Sequence, residues 1–475
     1  MNRVVGLETE YGCLTSDQFG PPNVVGRVRN WMFEHDRYGL ADTHQRDWDE
    51  PAGNGGFLFN GGRAYVDMGH LEYCTPECVH LRDLLLYDRA GDALLLEALQ
   101  ELKLADRAGF IRNNIDHYSG ATFGCHENYL VRRTAPLTEG NILSLLAFLT
   151  LRVLYTGTGR VGASFGAEFR GDLNQPCADS GFQISQRADY INNDLFEWVQ
   201  FNRAIINTRD EPLADARMYR RLHLLHGDTN VLPTALLLKA GTTALVLDLL
   251  EADRLPKVLL ADAVVAFRAL SHQPDGPWTV ILGNGERASV VQILELFHRA
   301  AQREFAGRDS ETDLVLRLWD EVLTGLASDP GSLVGVVDWI TKRWLFTQFA
   351  RHEGLGWNDP WLKAQDLEYH HVDPARSLGL PLARTPEWWQ VSAEAVGTAM
   401  RHAPLNSRAH ARSQIMHLLK RKAIRFFVDW EVIDVEGLPS LNLANPFDAS
   451  PAEAKTWCRQ LAADHHEKPS EELTA

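Results

Sequence analysis

The chain has 475 residues, 45% of them hydrophobic and 23% charged, which is the balance of a globular protein with a large core and more than one domain. Its 47 lysines and arginines against 63 aspartates and glutamates give a net charge of −16, which argues against non-specific binding of nucleic acid. The N-terminus enters a strand pattern directly, and the most apolar run, residues 142–155, is too short to span a bilayer. We therefore expect a cytoplasmic protein that binds neither membrane nor nucleic acid.

The first predicted strand, residues 3–11, carries two glutamates at alternating positions. Side chains two residues apart point to the same face of a strand, so Glu8 and Glu10 share a face. Neighbouring carboxylates repel each other, and burial of an unpaired carboxylate costs several kcal/mol. The pair therefore indicates a bound hard cation, unless the two glutamates lie on the solvated face of an edge strand.

A polar segment, residues 36–56, separates this strand from the next strands. It ends in the sequence Gly-Asn-Gly-Gly, which predicts a mobile surface insert. A lid over the hairpin that follows and an idle solvated loop both fit this composition.

A β-hairpin is predicted over residues 57–67, because an Asn-Gly pair between two strand patterns is a strong turn signal. In its second strand Tyr65 and Asp67 share a face, and Glu72 follows closely. We predict that Glu72 completes the cation site of the two N-terminal glutamates and that Asp67 is the reactive carboxylate beside it. In the alternative interpretation, Asp67 only begins a turn.

The strand predicted over residues 124–133 carries polar side chains on both faces. Alternation sends His126 and Asn128 to one face and Glu127 to the other. Residues 142–154 then predict a buried helix. The Gly-rich turn after it lacks the Gly-Lys-Ser/Thr signature of a Walker loop, and we find no strand–GxGxxG–helix unit. Any nucleotide must therefore bind through another architecture.

Residues 182–230 form the densest polar segment. Its arginines are Arg187, Arg209, Arg220 and Arg221. Clustered guanidinium groups suit polyphosphate oxygens because each fork can hold two of them, although ordinary ion pairs with the nearby acids are the alternative. His223 lies in an alternating strand pattern, where a lone histidine is normally a core residue with its hydrogen bonds made.

The second half of the chain, from residue 232 onward, predicts mainly helices. A late strand, residues 426–433, marks a small C-terminal module. We predict a domain boundary that separates residues 1–405 from residues 406–475, with a disordered tail from about residue 465.

Five long motifs resemble the Pup ligase/depupylase family, whose enzymes attach or remove the prokaryotic ubiquitin-like protein. The motifs are GLETEYG, NGGRAYVDMGHLEYCTPEC, NNIDHYSGATFGCHENYLV, FQISQRADY and INTRDEPLADARMYRRLHLLHGDTN. The resemblance covers residues 1 to about 447. The wider relatives are carboxylate–amine ligases of the glutamine-synthetase type. They imply an α+β fold, with a curved antiparallel β-sheet, helices packed on its outer face and a small C-terminal module.

The resemblance also implies roles for residues of the first strands. Glu8, Glu10 and Glu72 match the acids that bind Mg²⁺ in the family. Asp67 matches the essential aspartate, and Tyr65 matches the tyrosine beside it. The His-Leu-Glu sequence that ends in Glu72 departs from the usual His-Pro-Glu of the family. We therefore expect the local turn to differ from that of the family.

Further matches concern ATP. Arg209 and Arg220 match positions near the phosphates of ATP, and His223 matches a histidine near the metal and the phosphates. The implied activity is an ATP- and Mg²⁺-dependent ligase that joins the C-terminal glutamate of a Pup-like modifier to lysines of substrate proteins through a γ-glutamyl phosphate. The implied partners are this modifier, lysine-bearing proteins and, indirectly, the bacterial proteasome.

The alternative within the same family is a depupylase/deamidase, which hydrolyses that isopeptide bond or deamidates a C-terminal glutamine. Depupylases carry a long loop before the catalytic hairpin. The corresponding interval here, residues 13–59, is longer than in typical ligases and shorter than in typical depupylases. Residues 425–430 and 443–447 resemble the ligase tail, which favours the ligase. A binding protein without catalysis and a small-molecule carboxylate–amine ligase fit the motifs less well.

Overall fold

The computed structural model describes residues 3–16, 18–47, 50–117, 120–162, 181–197, 203–420, 422 and 424–464. The strands are β1 (Val5–Thr15), β2 (Gly39–Ala41), β3 (Gly55–Leu58), β4 (Arg63–Asp67), β5 (His70–Cys74), β6 (Ala108–Ile111), β7 (Cys125–Arg132), β8 (Arg160–Val161), β9 (Phe182–Gln183), β10 (Asn193–Phe196), β11 (Ala204–Asn207), β12 (Tyr219–Leu224), β13 (Thr279–Ile281), β14 (Arg287–Ser289), β15 (Phe426–Val428), β16 (Val432–Val435) and β17 (Leu441–Asn442).

The α-helices lie mainly in the second half of the chain. They are α1 (Pro21–Phe33), α2 (Leu81–Glu101), α3 (Glu139–Leu151), α4 (Val153–Thr156), α5 (Pro233–Glu251), α6 (Ala263–Ser271), α7 (Val290–Phe305), α8 (Ser310–Ser328), α9 (Asp338–Glu353), α10 (Pro360–Tyr369), α11 (Ala393–Ala399), α12 (Ala409–Leu419) and α13 (Ala452–Asp464).

The main sheet has the strand order β10-β11-β12-β7-β1-β5-β4-β3-β2, and β6 pairs with the far end of β1. Its strand pairs are antiparallel except for β10 with β11 at one edge. The predicted α+β class, with helices packed on a largely antiparallel sheet, is therefore confirmed, and the parallel pair is an addition to it.

The two faces of the sheet differ in chemistry because side chains alternate along each strand. On one face, side chains such as Leu7 and Tyr11 join an apolar core with α2 and α5. The other face, here called the polar face, carries Glu8 and Glu10 from the same strand. The sheet thus separates a packed interior from a charged surface.

The helix α5 lies inside this core. Among the described residues it is the helix long and apolar enough to cross a membrane by length and composition, yet 89% of its most apolar window is buried in the protein. Its Lys239 Nζ donates to the carbonyl of Asp228 at 2.7 Å. We interpret α5 as a core helix. The apolar run 142–155 likewise forms buried helix, as predicted.

The C-terminal module consists of α12, β15–β17 and α13 around its own apolar cluster, which also includes Phe57 and Phe59 of the main sheet's edge. The predicted single strand 426–433 is wrong, since Asp429 N donates to the carbonyl of Val432 and turns the chain between β15 and β16. The domain boundary near residue 405 stays a prediction. The predicted disordered tail lies outside the described residues.

The prediction that residues 36–56 form a mobile surface insert is partly wrong. The segment contributes β2 and the start of β3 to the sheet, because its glycines allow close strand contact. Arg46 donates to Asp42 at 2.7 Å and to Asp429 of the C-terminal module at 3.2 Å. These bonds tie the segment to both parts of the protein.

Candidate active site

The centre of the polar face is an acidic cluster, defined here as Glu8, Glu10, Asp67 and Glu72. Strand pairing creates it, because Glu10 lies opposite Glu72 in the pair of β1 with β5. Asp67 ends β4 and lies opposite His70 at the start of β5. The chain therefore brings Glu10, Asp67 and Glu72 together, and Glu8 lies close enough to affect the charge of Glu72.

Glu72 is the most buried carboxylate of this cluster, with 2% of its surface exposed. The hydroxyl of Tyr65 donates to Glu72 Oε1 at 2.7 Å. Burial raises the pKa of Glu72 well above its ordinary value, and the charges of Glu8, Glu10 and Asp67 raise it further. The cluster therefore carries more negative charge than its own surroundings neutralise.

Tyr65 is itself held in place from the opposite side. The guanidinium carbon of Arg63 lies 4.3 Å from the centre of the Tyr65 ring. Arg63 also forms ion pairs with Glu50 at 2.8 Å and with Asp42 at 3.1 Å. Burial, and then the charge of Glu72, raise the pKa of the Tyr65 hydroxyl, so it remains a hydrogen-bond donor at neutral pH.

The donor atoms form two adjoining groups. In the first group, Glu10, Asp67 and Glu72 each offer an oxygen within 4.8 Å of the others. In the second group, Glu8 meets His126 and His223 at the same spacing. Carboxylate oxygens are the ligands that Mg²⁺ prefers, and the repulsion within the first group makes a cation favourable there. The donor set thus fits Mg²⁺.

His223 completes the second group without a hydrogen bond of its own. Its Nε2 lies 3.5 Å from Glu8 Oε2, and neither ring nitrogen has a hydrogen-bond partner among the described residues. Burial lowers the pKa of His223 to about 4, so the ring is neutral at pH 7. A neutral imidazole with a free nitrogen can serve as a metal ligand.

A cavity of about 350 Å³ adjoins the cluster at the Glu8 side. Its polar lining includes Glu8, Arg63, Tyr65, Arg209, Arg221 and His223. The C-terminal module contributes Arg408 and Trp430 to its wall. This volume is in the range of small-molecule binding sites. The lining holds four arginines and four glutamates, and the arginines can contact an anionic ligand.

Of the two arginines predicted to lie near the phosphates of ATP, the structure places one at the cavity and one outside it. Arg209 lines the cavity, where it pairs with Glu211 at 2.6 Å and keeps 44% of its side chain exposed. Arg220 is outside the lining and lies 3.9 Å from Asp210. The neighbouring Arg221 faces the cavity instead.

Two side chains at the site were noted in the sequence but received no role from the family resemblance. His126 Nδ1 lies 3.0 Å from Glu8 Oε2, and Arg221 donates to Asn128 at 3.1 Å. The alternation in β7 and β12 contained the signal. His126 shares a face with Asn128, and Arg221 shares one with His223.

The chain is similar to proteins of known family over most of its length. The model of the family described as "Pup-ligase protein" matches residues 3–434. A depupylase of Acidothermus cellulolyticus is 35% identical, with 93% of each chain covered. A Pup–protein ligase of Corynebacterium glutamicum is 32% identical, with 94% of each chain covered.

Two solved structures are also similar. The complex of the prokaryotic ubiquitin-like protein Pup with its ligase PafA matches with a TM-score of 0.82 and 30% identity, over 97% of this chain and 93% of that one. The Pup ligase PafA in complex with ADP matches with a TM-score of 0.77 and 31% identity, over 88% of this chain and 92% of that one.

Proposed function

This chain belongs to the Pup-ligase protein family, and on that premise we propose that it is an ATP- and Mg²⁺-dependent ligase. It joins the C-terminal glutamate of a Pup-like modifier to lysines of substrate proteins. The observation that carries the proposal is the acidic cluster, where burial and mutual repulsion raise the pKa of Glu72, beside a cavity whose lining includes four arginines. Such a site is suited to hold a metal–nucleotide complex.

The nucleotide occupies the cavity beside Glu8. Arg209, Arg221 and His223 line it, and the ligase PafA of the same family has been solved with ADP. Glu8, Glu10 and Glu72 would hold Mg²⁺, which supplies charge neutralisation for the phosphates when it is bound. The C-terminal module, proposed as a separate small domain from residue 406, closes one wall of this cavity.

The reaction requires activation because a carboxylate has a poor leaving group. Transfer of the γ-phosphoryl group of ATP to the side chain of the modifier's terminal glutamate gives a γ-glutamyl phosphate and ADP. Arg209 and Arg221 offset the negative charge that develops on the transferred group. The carbonyl carbon can then be attacked by an amine.

Asp67 completes the reaction as the general base. The lysine amine attacks the acyl phosphate, phosphate leaves, and the proton of the amine passes to the Asp67 carboxylate. Tyr65 holds Glu72 through its hydroxyl and so keeps the adjacent carboxylates in register. We further propose that the reaction takes place in the cytoplasm and marks proteins for the bacterial proteasome.

The second candidate is the depupylase, and the Acidothermus relative at 35% identity favours it. In that direction Asp67 would assist hydrolysis of the same isopeptide bond. Incubation with ATP, Mg²⁺, a modifier ending in glutamate and a lysine-bearing protein separates the two by mass spectrometry. We expect a conjugate with the summed mass minus one water and one ADP formed per bond. Release of modifier from a supplied conjugate, without any formation of conjugate, would replace the ligase by the depupylase.

A further inference from the structure

The turn between β4 and β5 carries an apolar side chain that the chain itself does not bury. Asp67 and His70 are the last pair of the two strands, so the turn consists of Met68 and Gly69 alone. Met68 has 80% of its surface exposed, more than any other large apolar residue in the part of the chain that the structure describes. A single exposed apolar residue is ordinary on a protein surface, so its backbone and its position decide whether it matters.

The backbone of this turn favours residues other than methionine. Both turn residues have left-handed backbones, with φ 45° at Met68 and φ 92° at Gly69. Two-residue hairpin turns with positive φ at both positions favour Asn-Gly, because asparagine and glycine adopt this conformation at low cost. Neither the turn nor the core therefore accounts for a methionine at position 68, and a side chain that opposes the local preference beside a reactive group indicates a functional role.

The turn lies at the end of β4 opposite to the cavity. Arg63 and Tyr65 of this strand line the cavity, whereas Asp67 and Met68 do not. Asp67 is two residues beyond Tyr65 and hence about 7 Å further along the strand. The antiparallel β5 has the same arrangement, since its end at Cys74 lines the cavity. With the nucleotide in the cavity, an amine therefore reaches the half-buried Asp67 from the side of the turn.

We propose that Met68 binds the aliphatic stem of the substrate lysine and thereby helps to select the amine. The inference rests on the proposed function, in which Asp67 takes the proton of that amine and so lies within hydrogen-bond reach of its nitrogen. Consecutive Cα atoms are only about 3.8 Å apart, so the four methylene groups behind the nitrogen pass the next residue of the turn. A thioether side chain is flexible and polarisable, and it can pack against lysine stems in different protein surroundings.

The acidic cluster and Met68 recognise different parts of the lysine. The carboxylates attract the ammonium group, and any small cationic amine satisfies them equally well. Contact between methylene groups and an apolar side chain adds affinity only for an amine that carries an aliphatic stem. The two contributions can therefore be separated by a nucleophile that has no stem.

The experiment compares a lysine-bearing protein with hydroxylamine, in the presence of ATP, Mg²⁺ and a modifier ending in glutamate. Both nucleophiles attack the carbonyl of the γ-glutamyl phosphate and release phosphate, and they give an isopeptide and a hydroxamate respectively. Met68→Asn suits the left-handed backbone, so the variant should fold. We expect it to raise the KM for the protein about 4- to 15-fold, which corresponds to lost contact with one or two methylene groups. The rate of hydroxamate formation should stay that of the wild type.

The matched control is Met218→Asn, which removes a methionine that is 57% exposed and lies outside the cavity lining, and it should keep the KM of the wild type. Met68→Leu keeps an apolar contact and should restore most of the affinity for the protein. Equal KM values for the wild type and Met68→Asn would overturn the proposal. Equal losses with both nucleophiles would also overturn it, because they would mean that Met68 only supports the structure of the site.

A failure of the proposed function gives a different result. A wild type that forms neither conjugate nor hydroxamate would reject the ligase and the role of Met68 with it. Hydroxamate formation by the wild type, together with a KM that Met68→Asn does not change, would reject the role of Met68 alone.

Discussion

Two glutamates on opposite faces of the main sheet are equally buried and have opposite electrostatic surroundings. Glu127 faces the helices and accepts hydrogen bonds from Arg152 at 2.6 and 2.9 Å and from the hydroxyl of Tyr129 at 2.6 Å. Glu72 faces the polar side, and among the described residues its close donors are the hydroxyl of Tyr65 at 2.7 Å and the thiol of Cys74 at 3.8 Å.

Their pKa values differ accordingly. Burial raises the pKa of Glu127, but the charges of Arg152 and Lys239 and the hydrogen bonds from Arg152 together outweigh burial and hold it at about 2. For Glu72, burial and the neighbouring carboxylates act in the same direction, so its pKa rises. The chain therefore neutralises the charges that its own packing requires and leaves the charges at the polar face for a ligand to neutralise.

The largest expected effect is on catalysis and belongs to the polar face. Asp67→Asn should lower the rate of conjugation by about 10²–10⁴-fold, the usual contribution of a general base, with ATP affinity and stability unchanged. Single-turnover assays and calorimetry measure the two quantities. Asp253→Asn is the matched control, because Asp253 is exposed and its left-handed backbone (φ 54°) tolerates asparagine. A rate for Asp67→Asn near that of the control would remove Asp67 from the mechanism.

The largest effect on stability belongs to the helix side. Glu127→Gln leaves the buried Arg152 without its charge partner and should lower the free energy of unfolding by about 3–5 kcal/mol. Urea denaturation followed by circular dichroism measures this change. A loss below about 1 kcal/mol would show that Glu127 and Arg152 do not depend on each other for neutralisation on the helix side.

A related and smaller effect is the loss of stability that ionised Glu127 provides when the pH falls into the acid range. The folded pKa of Glu127 is about 2 against an ordinary 4.5, so its contribution to stability is complete above pH 4.5 and is lost as the pH falls towards 2. The loss amounts to about 3 kcal/mol and should be present in the wild type and absent in Glu127→Gln. The difference between their unfolding free energies from pH 6 to pH 2 tests this. A constant difference would contradict it.

The smallest expected effect is the most diagnostic for the cluster. Without metal, Glu72→Gln should leave stability unchanged or raise it by about 1 kcal/mol, because it removes one of several repelling carboxylates and keeps an acceptor for Tyr65. Added Mg²⁺ should raise the melting temperature of the wild type more than that of the variant. Destabilisation of metal-free Glu72→Gln by several kcal/mol would show that Glu72 is already neutralised within the chain.

The sequence predicted which side chains share a face within one strand, because this depends only on alternation along that strand. It placed Glu8 with Glu10, and Tyr65 with Asp67, because a two-residue period is local. Alternation did not predict that Glu8 groups with His126 and His223, since that requires the register between β1, β7 and β12. Only the family resemblance placed His223 near the metal. Register is set by packing across the sheet, which a single strand does not reveal.

The positions of the arginines also depend on contacts between strands that the sequence does not reveal. Arg220 and Arg221 are adjacent, and only the register of β12 on β7 decides which of them faces the cavity. Arg187 donates a hydrogen bond of 3.0 Å to Thr122, 65 residues away in the sequence. Non-local contacts of this kind have no signature in residue spacing.

Whether the polar face holds the metal can be measured directly by anomalous diffraction from crystals grown with ADP and Mn²⁺ in place of Mg²⁺. The account predicts anomalous density between the carboxylates of Glu8, Glu10 and Glu72, with ADP in the cavity beside Glu8. ADP bound in that cavity without any anomalous density at these three glutamates would contradict it.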